Sequence, residues 1–184
     1  FDGYRGGLDV KKGTTGQYSY ISHCCTYEIM FHVSPLLPLL QKDEQALERK
    51  RHVGNDIVVL IFKDQSSDAD QFDPRWLTSH FNSIFMIVTP ERQDESNERY
   101  RITTSTKPGI NPFPPFLNET GVYEHGDALR DFVLRKLING ERTAMLSPTF
   151  DLNSRKTRRQ QLEELNEKFY KQDILSALIP SQLK

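Results

Sequence analysis

The chain has 184 residues, a formal net charge of −1, and 36% hydrophobic against 27% charged residues. That is enough to bury a core, and the balance excludes a disordered chain and any global field that would draw nucleic acid. No apolar run nears the roughly 20 residues of a membrane span, and Phe1-Asp2-Gly3-Tyr4-Arg5 lacks the basic-then-apolar layout of a signal peptide, so a cytoplasmic location without a direct membrane span is expected.

Gly6-Gly7 and the run Lys11 to Gly16 read as turns, after which Tyr18 to Ser22 and Tyr27 to Val33 carry the aromatic and β-branched residues of strands. The only cysteines, Cys24 and Cys25, are adjacent, which offers neither a disulfide framework nor a zinc site and predicts two reduced thiols. Pro35 and Pro38 interrupt the chain. From about Lys42 to Arg51 good helix formers follow without Gly or Pro, and Gly54 stands where a helix can end. Ile57 to Phe62 and Ile84 to Val88 are continuous apolar runs, the pattern of strands covered on both faces, and are expected to be central. Between them, Ser66 to Phe72 reads as a surface loop, and Pro74-Arg75-Trp76-Leu77 opens a helical turn.

Arg99 to Thr104 alternates like a strand, while the four prolines between Pro108 and Phe116 forbid regular structure. Beyond Asp127, a candidate N-cap, Leu129, Phe132, Val133, Leu137 and Ile138 recur at helical spacing and predict a helix packed on the sheet. Ser154 to Tyr170 predicts a second, more charged helix with Leu162, Leu165 and Phe169 as its apolar stripe. Strands first and helices later, with one helix between strands, give an α/β fold with a mixed central β-sheet flanked by helices.

The sequence holds no GxxxxGK[ST] phosphate loop, GxSxG elbow or HExxH pair, so no nucleotide site, resident cofactor or metal is expected in this chain. His32 lies within an apolar strand and reads as a core histidine with its polar atoms satisfied. His52 differs: it follows Arg49-Lys50-Arg51 and precedes Asn55 by three positions, which on a helical path puts imidazole and carboxamide on one face. Basic residues near a helix carboxyl end also complement the helix dipole, and spacing alone leaves both accounts open. A second basic cluster, Arg155-Lys156-Thr157-Arg158-Arg159, lies near the carboxyl end.

Taken together, Tyr4 to Lys11, Thr14-Thr15-Gly16, Tyr27 to Ser34 and Arg49-Lys50-Arg51-His52-Val53-Gly54-Asn55-Asp56-Ile57-Val58 resemble the catalytic domain of Rap-type GTPase-activating proteins, a family that includes tuberin and Ral-directed domains. The resemblance continues through Ser79-His80-Phe81, Pro112 to Pro115, Leu137-Ile138-Asn139 and Thr157-Arg158. It implies a sheet-and-helix fold similar to that of the small GTPases, a catalytic domain over residues 1–172 and a tail over 173–184. It also implies an asparagine thumb, here Asn55, whose carboxamide enters the partner's active site and orients the attacking water. His52 is then expected to orient Asn55, Arg49, Lys50 and Arg51 to attract the GTPase, and Phe81 and Arg158 to contact it. GTP and Mg²⁺ would be carried by the partner.

The expected partner is a Rap-like small GTPase, with Rheb or Ral as alternatives because their activators share the histidine-glycine-asparagine segment. A non-catalytic GTPase-binding module of the same fold is the reading from another class. Recruitment to the membrane where the GTPase is anchored, and dimerisation through a domain outside this chain, are further expectations of the resemblance.

Overall fold

Aromatic and β-branched residues set the first hairpin, β1 (Tyr20–Cys24) against β2 (Tyr27–Phe31), antiparallel with Tyr20 opposite Phe31 and Cys24 opposite Tyr27. Cys25 turns the corner with φ 55°, leaving Cys24 buried and Cys25 exposed, both as free thiols. A computed structural model describes residues 3–39, 46–64, 72–92 and 98–178, which fall in two compact units, Phe1–Ala144 and Met145–Lys184.

Helix α1 spans Leu47–Val53. Its expected start near Lys42 is overridden at Ala46, whose left-handed backbone (φ 51°) makes it the N-cap; residues 42–45 lie outside the described ones. It ends where expected: Gly54 is the C-cap, and its N–H donates to the Lys50 carbonyl at 2.8 Å.

A four-stranded mixed sheet follows, in the order β3 (Val58–Phe62), β4 (Ile84–Arg92), β5 (Glu98–Thr106), β6 (Val122–Glu124). β3 and β4 are parallel and the other pairs antiparallel. β4 is covered on both faces as predicted, since Ile84, Phe85 and Met86 are consecutive and all buried. Phe72 lies 5.9 Å from the Phe85 ring, beside the 3-10 turn Pro74–Trp76 that Asp73 caps by accepting from the Arg75 N–H at 2.9 Å. β3 departs from expectation. Among the described residues it is an edge strand with Leu60 and Phe62 exposed, so its apolar run reflects strand propensity rather than a covered central position. The expected loop Ser66 to Phe72 lies outside the described residues up to position 71.

Helix α2 (Asp127–Met145) lies on this sheet, with Leu137 joining Met86 and Ile102 in the core and Leu129, Phe132 and Val133 packed around them. The proline-rich stretch makes no regular structure and is held by α2 side chains: the buried Lys136 donates from Nζ to the Phe113 carbonyl at 2.9 Å, and Asn139 Nδ2 donates to the Pro114 carbonyl at 3.0 Å. Burial pushes the Lys136 pKa down, because the ammonium gives up water for one carbonyl and the Phe113 ring 4.2 Å below it. Gly140 permits this close approach, since a Cβ there would stand 3.2 Å from Ile84 Cδ1 and from the Phe113 ring. Gly140→Val is expected to lower unfolding free energy by about 1–3 kcal/mol through overpacking, measured by urea denaturation.

The described residues of the second unit are built around helix α3 (Pro148–Leu178), longer than the predicted Ser154 to Tyr170. Its ion pairs Arg155–Asp151 and Arg159–Glu163 sit at i,i+4 spacing. Leu162, Leu165 and Phe169, the expected apolar stripe, are exposed. No described helix is long and apolar enough to cross a membrane.

Candidate functional site

The carboxyl end of α1 presents its basic residues in the last turn, Lys50, Arg51 and His52, where they complement the helix dipole. Lys50 and Arg51 are exposed, whereas Arg49 is half-buried and donates from Nε to the Leu37 carbonyl at 3.2 Å. Immediately beyond, the backbone folds into a tight turn in which the Asn55 N–H donates to the His52 carbonyl at 3.1 Å and the Asp56 N–H to Val53 at 3.3 Å. Gly54 is required here because an added Cβ would collide with the Lys50 carbonyl oxygen.

Asn55 is exposed at the tip of this turn. Its Nδ2 donates to the Arg51 carbonyl at 2.7 Å in the last turn of the helix, which fixes which way the amide faces. With the nitrogen committed there, the amide oxygen remains as an acceptor without charge.

Behind the turn stands His32. Its Nδ1 meets both Asp56 carboxylate oxygens at 2.9 Å and its Nε2 meets the Gly6 carbonyl at 2.6 Å. Both partners are acceptors, so both ring nitrogens must donate, which only the imidazolium does. The Asp56 hydrogen bond accordingly raises the His32 pKa, against the opposing effect of burial. This is the satisfied histidine that the sequence predicts. The His52 ring lies 5.1 Å from that of His32, tilted at 58°, so the two imidazoles pack as a pair. Glu141 adds a fourth ionisable group; although the residue is exposed, crowding of its carboxyl by protein and the nearby Asp56 charge push its pKa up.

The segment before β4 holds the turn from the other side. Ser79 Oγ donates to the Gly54 carbonyl, and Asn82 Nδ2 donates to Val53 at 2.9 Å and to Asp56 at 2.6 Å. Phe81, between them in sequence, is 49% exposed, which makes its ring available for contact rather than part of the core. Arg49, Lys50, Arg51, His52, Asn55 and Phe81 thus all belong to the Phe1–Ala144 unit, whereas Arg158 is an exposed residue of α3 in the other. Sequence patterns singled out neither Asn82 nor Asp56 as site residues, because their contacts join positions 24 to 29 apart. No cluster of His, Cys, Asp and Glu among the described residues is arranged to hold a metal.

A sequence model of the Rap/ran-GAP family matches residues 1–159, which includes every element of this site. The chain belongs to the Rap/ran-GAP family. It is 42% identical over 155 residues to GTPase-activating Rap/Ran-GAP domain-like protein 3 of Gallus gallus, covering 84% of this chain and 17% of that protein. It is 39% identical over 185 residues to a GTPase-activating protein of Dictyostelium discoideum, covering 99% of this chain and 18% of the other. With human signal-induced proliferation-associated 1-like protein 2 the identity is 38% over 184 residues, covering 100% of this chain and 10% of that one. The chain therefore spans less than a fifth of each of these relatives. Among solved structures, that of the TSC2 GAP domain superposes with a TM-score of 0.59 at 23% identity, covering 85% of this chain and 76% of the other, a likeness of fold.

Proposed function

We infer that this domain activates GTP hydrolysis on a Rap-family small GTPase, acting in trans with Asn55 as an asparagine thumb. The observation that carries the reading is the exposed Asn55 side chain, whose amide nitrogen is held by the helix end. Phosphoryl transfer to water needs little covalent help and much positioning, so an uncharged acceptor that fixes the water in line with the γ-phosphate acts on the rate directly. GTP and Mg²⁺ belong to the partner. Lys50 and Arg51 favour encounter with an acidic GTPase surface, His52 supports the turn, and the exposed Phe81 ring docks against the partner, with Arg158 as a further contact. We place the domain in the cytoplasm, brought to membranes where its GTPase is anchored.

Single-turnover hydrolysis measured on GTP-loaded Rap, Rheb and Ral tests this. Acceleration on Rap by about 10³-fold or more, and weaker acceleration on the other two, is expected. Binding to all three without acceleration of any would replace the reading with a non-catalytic binding module, and preferential acceleration of Rheb or Ral would reassign the substrate.

A further inference from the structure

We propose that Ser79 and Asn82, secured by Lys107, are positioning residues that set the catalytic turn around Asn55 and register it with Phe81. The inference rests on the reading of Asn55 as the thumb.

Hydrogen-bond valences leave little freedom here. The single hydroxyl proton of Ser79 goes to the Gly54 carbonyl, and its oxygen accepts from the Phe81 N–H at 3.0 Å and the Asn82 N–H at 3.4 Å. A hydroxyl offers one proton and two lone pairs, so all of Ser79 Oγ is committed. The Asn82 side chain is 1% exposed, and both amide protons are spent on the Val53 and Asp56 carbonyls. Turning that amide over would aim its oxygen at two other oxygens, which fixes its orientation as well. The three carbonyls of Val53, Gly54 and Asp56 surround Asn55 in sequence, and all three are held by this one segment.

The segment is itself held at both ends by a single residue. Lys107 Nζ donates to the Ser79 carbonyl at 2.6 Å, and the Lys107 N–H donates to the Ser83 carbonyl at 2.8 Å. Lys107 directly follows β5, and the Ser83 and Ile84 N–H groups both donate to the Ile57 carbonyl just before β3. The sheet thereby carries its rigidity to the turn through short hydrogen bonds, and Phe81 is fixed to the same serine oxygen as Gly54. A residue that acts through another in this way changes the rate at saturation more than the affinity, because misplacement by about 1 Å costs up to roughly 10²-fold.

The test compares wild type, Ser79→Ala and Ser79→Thr in single-turnover hydrolysis on GTP-loaded Rap across domain concentrations, with binding measured separately on Rap carrying a non-hydrolysable GTP analogue. Ser79→Ala is expected to lose about 10- to 100-fold in the saturating rate with Kd within about twofold of wild type, and Ser79→Thr, which keeps the hydroxyl, to recover most of that loss. Lys107→Met, which leaves Ser79 and Asn82 in place, is expected to show the same split at smaller size and serves if Ser79→Ala does not fold. A wild-type saturating rate in the folded variants, or a loss seen only as weaker binding, would overturn the proposal. Asn55→Ala run alongside separates the failures. If that variant is inactive while Ser79→Ala and Lys107→Met keep the full rate, the positioning assignment alone falls; if Asn55→Ala is as active as wild type, the thumb reading falls with it.

Discussion

Asn55→Ala is expected to remove the acceleration of GTP hydrolysis, a loss of about 10³-fold or more, while binding to the GTPase stays measurable. The reasoning starts from exposure. Asn55 sits at the surface, so truncation creates no cavity and forfeits little beyond the Nδ2 bond to the Arg51 carbonyl, a cost of about 0.5 to 1.5 kcal/mol. A thousandfold loss in rate corresponds to about 4 kcal/mol, far more than that bond supplies to folding, so the effect separates cleanly from destabilisation. Asn55→Asp sharpens the comparison: a carboxylate cannot donate to the Arg51 carbonyl and brings negative charge toward the phosphates, so its saturating rate should fall at least as far. Single-turnover rates, equilibrium binding and thermal melting on the same preparations decide it. Equal rates for wild type and Asn55→Ala would end the thumb assignment.

Much of the frame around Asn55 is legible in sequence. Gly54 closes α1 where the helix-forming run stops, the consecutive apolar residues of β4 mark a strand buried on both faces, and the helical spacing of apolar residues from Leu129 to Ile138 places α2 on the sheet. The misreadings have local causes. Ala46 is a strong helix former, yet its left-handed backbone ends α1 early at its amino side, and nothing in its composition announces that. β6 is only three residues long and pairs with β5 through Arg99 to Arg101, too short to give a period. β3 looks central by hydrophobicity because the pattern of a run cannot reveal whether a second layer covers it.

The site divides along the same line. Asn55, His52 and the basic run lie within one short stretch of the chain, and their resemblance to a family segment is what singles them out as candidates. The groups that shape the turn are gathered by the fold: Asp56 meets His32 across 24 residues, and Ser79 and Asn82 reach the turn across 25 to 29. A serine and an asparagine near the start of a strand have no periodic signature. Their role follows from counting donors against carbonyls once they are brought together.

The His32 pair makes the site sensitive to pH, with a sign fixed by its partners. His32 bonds two acceptors, and the Asp56 bond holds its pKa above the ordinary value of about 6.5. A group whose folded pKa is raised contributes its stabilisation in full below the unfolded value and loses it as pH rises through the folded value. Folding stability, and the order of the turn that contains Asp56, should therefore decline as pH climbs from about 6.5 through the raised His32 pKa. Glu141, also raised, acts in the same direction but in a separate window that begins near 4.5. His32→Gln, which cannot take up a proton in this range, should lower stability by about 1.5 to 3 kcal/mol at pH 6 and flatten the upper decline while leaving the lower one. Melting temperatures from pH 4 to 9 for the two proteins are the direct measurement. A wild-type profile that stays level above pH 6.5, or a variant that keeps the same decline, would mean that the imidazolium is not what ties the Gly6 loop to the Asn55 turn.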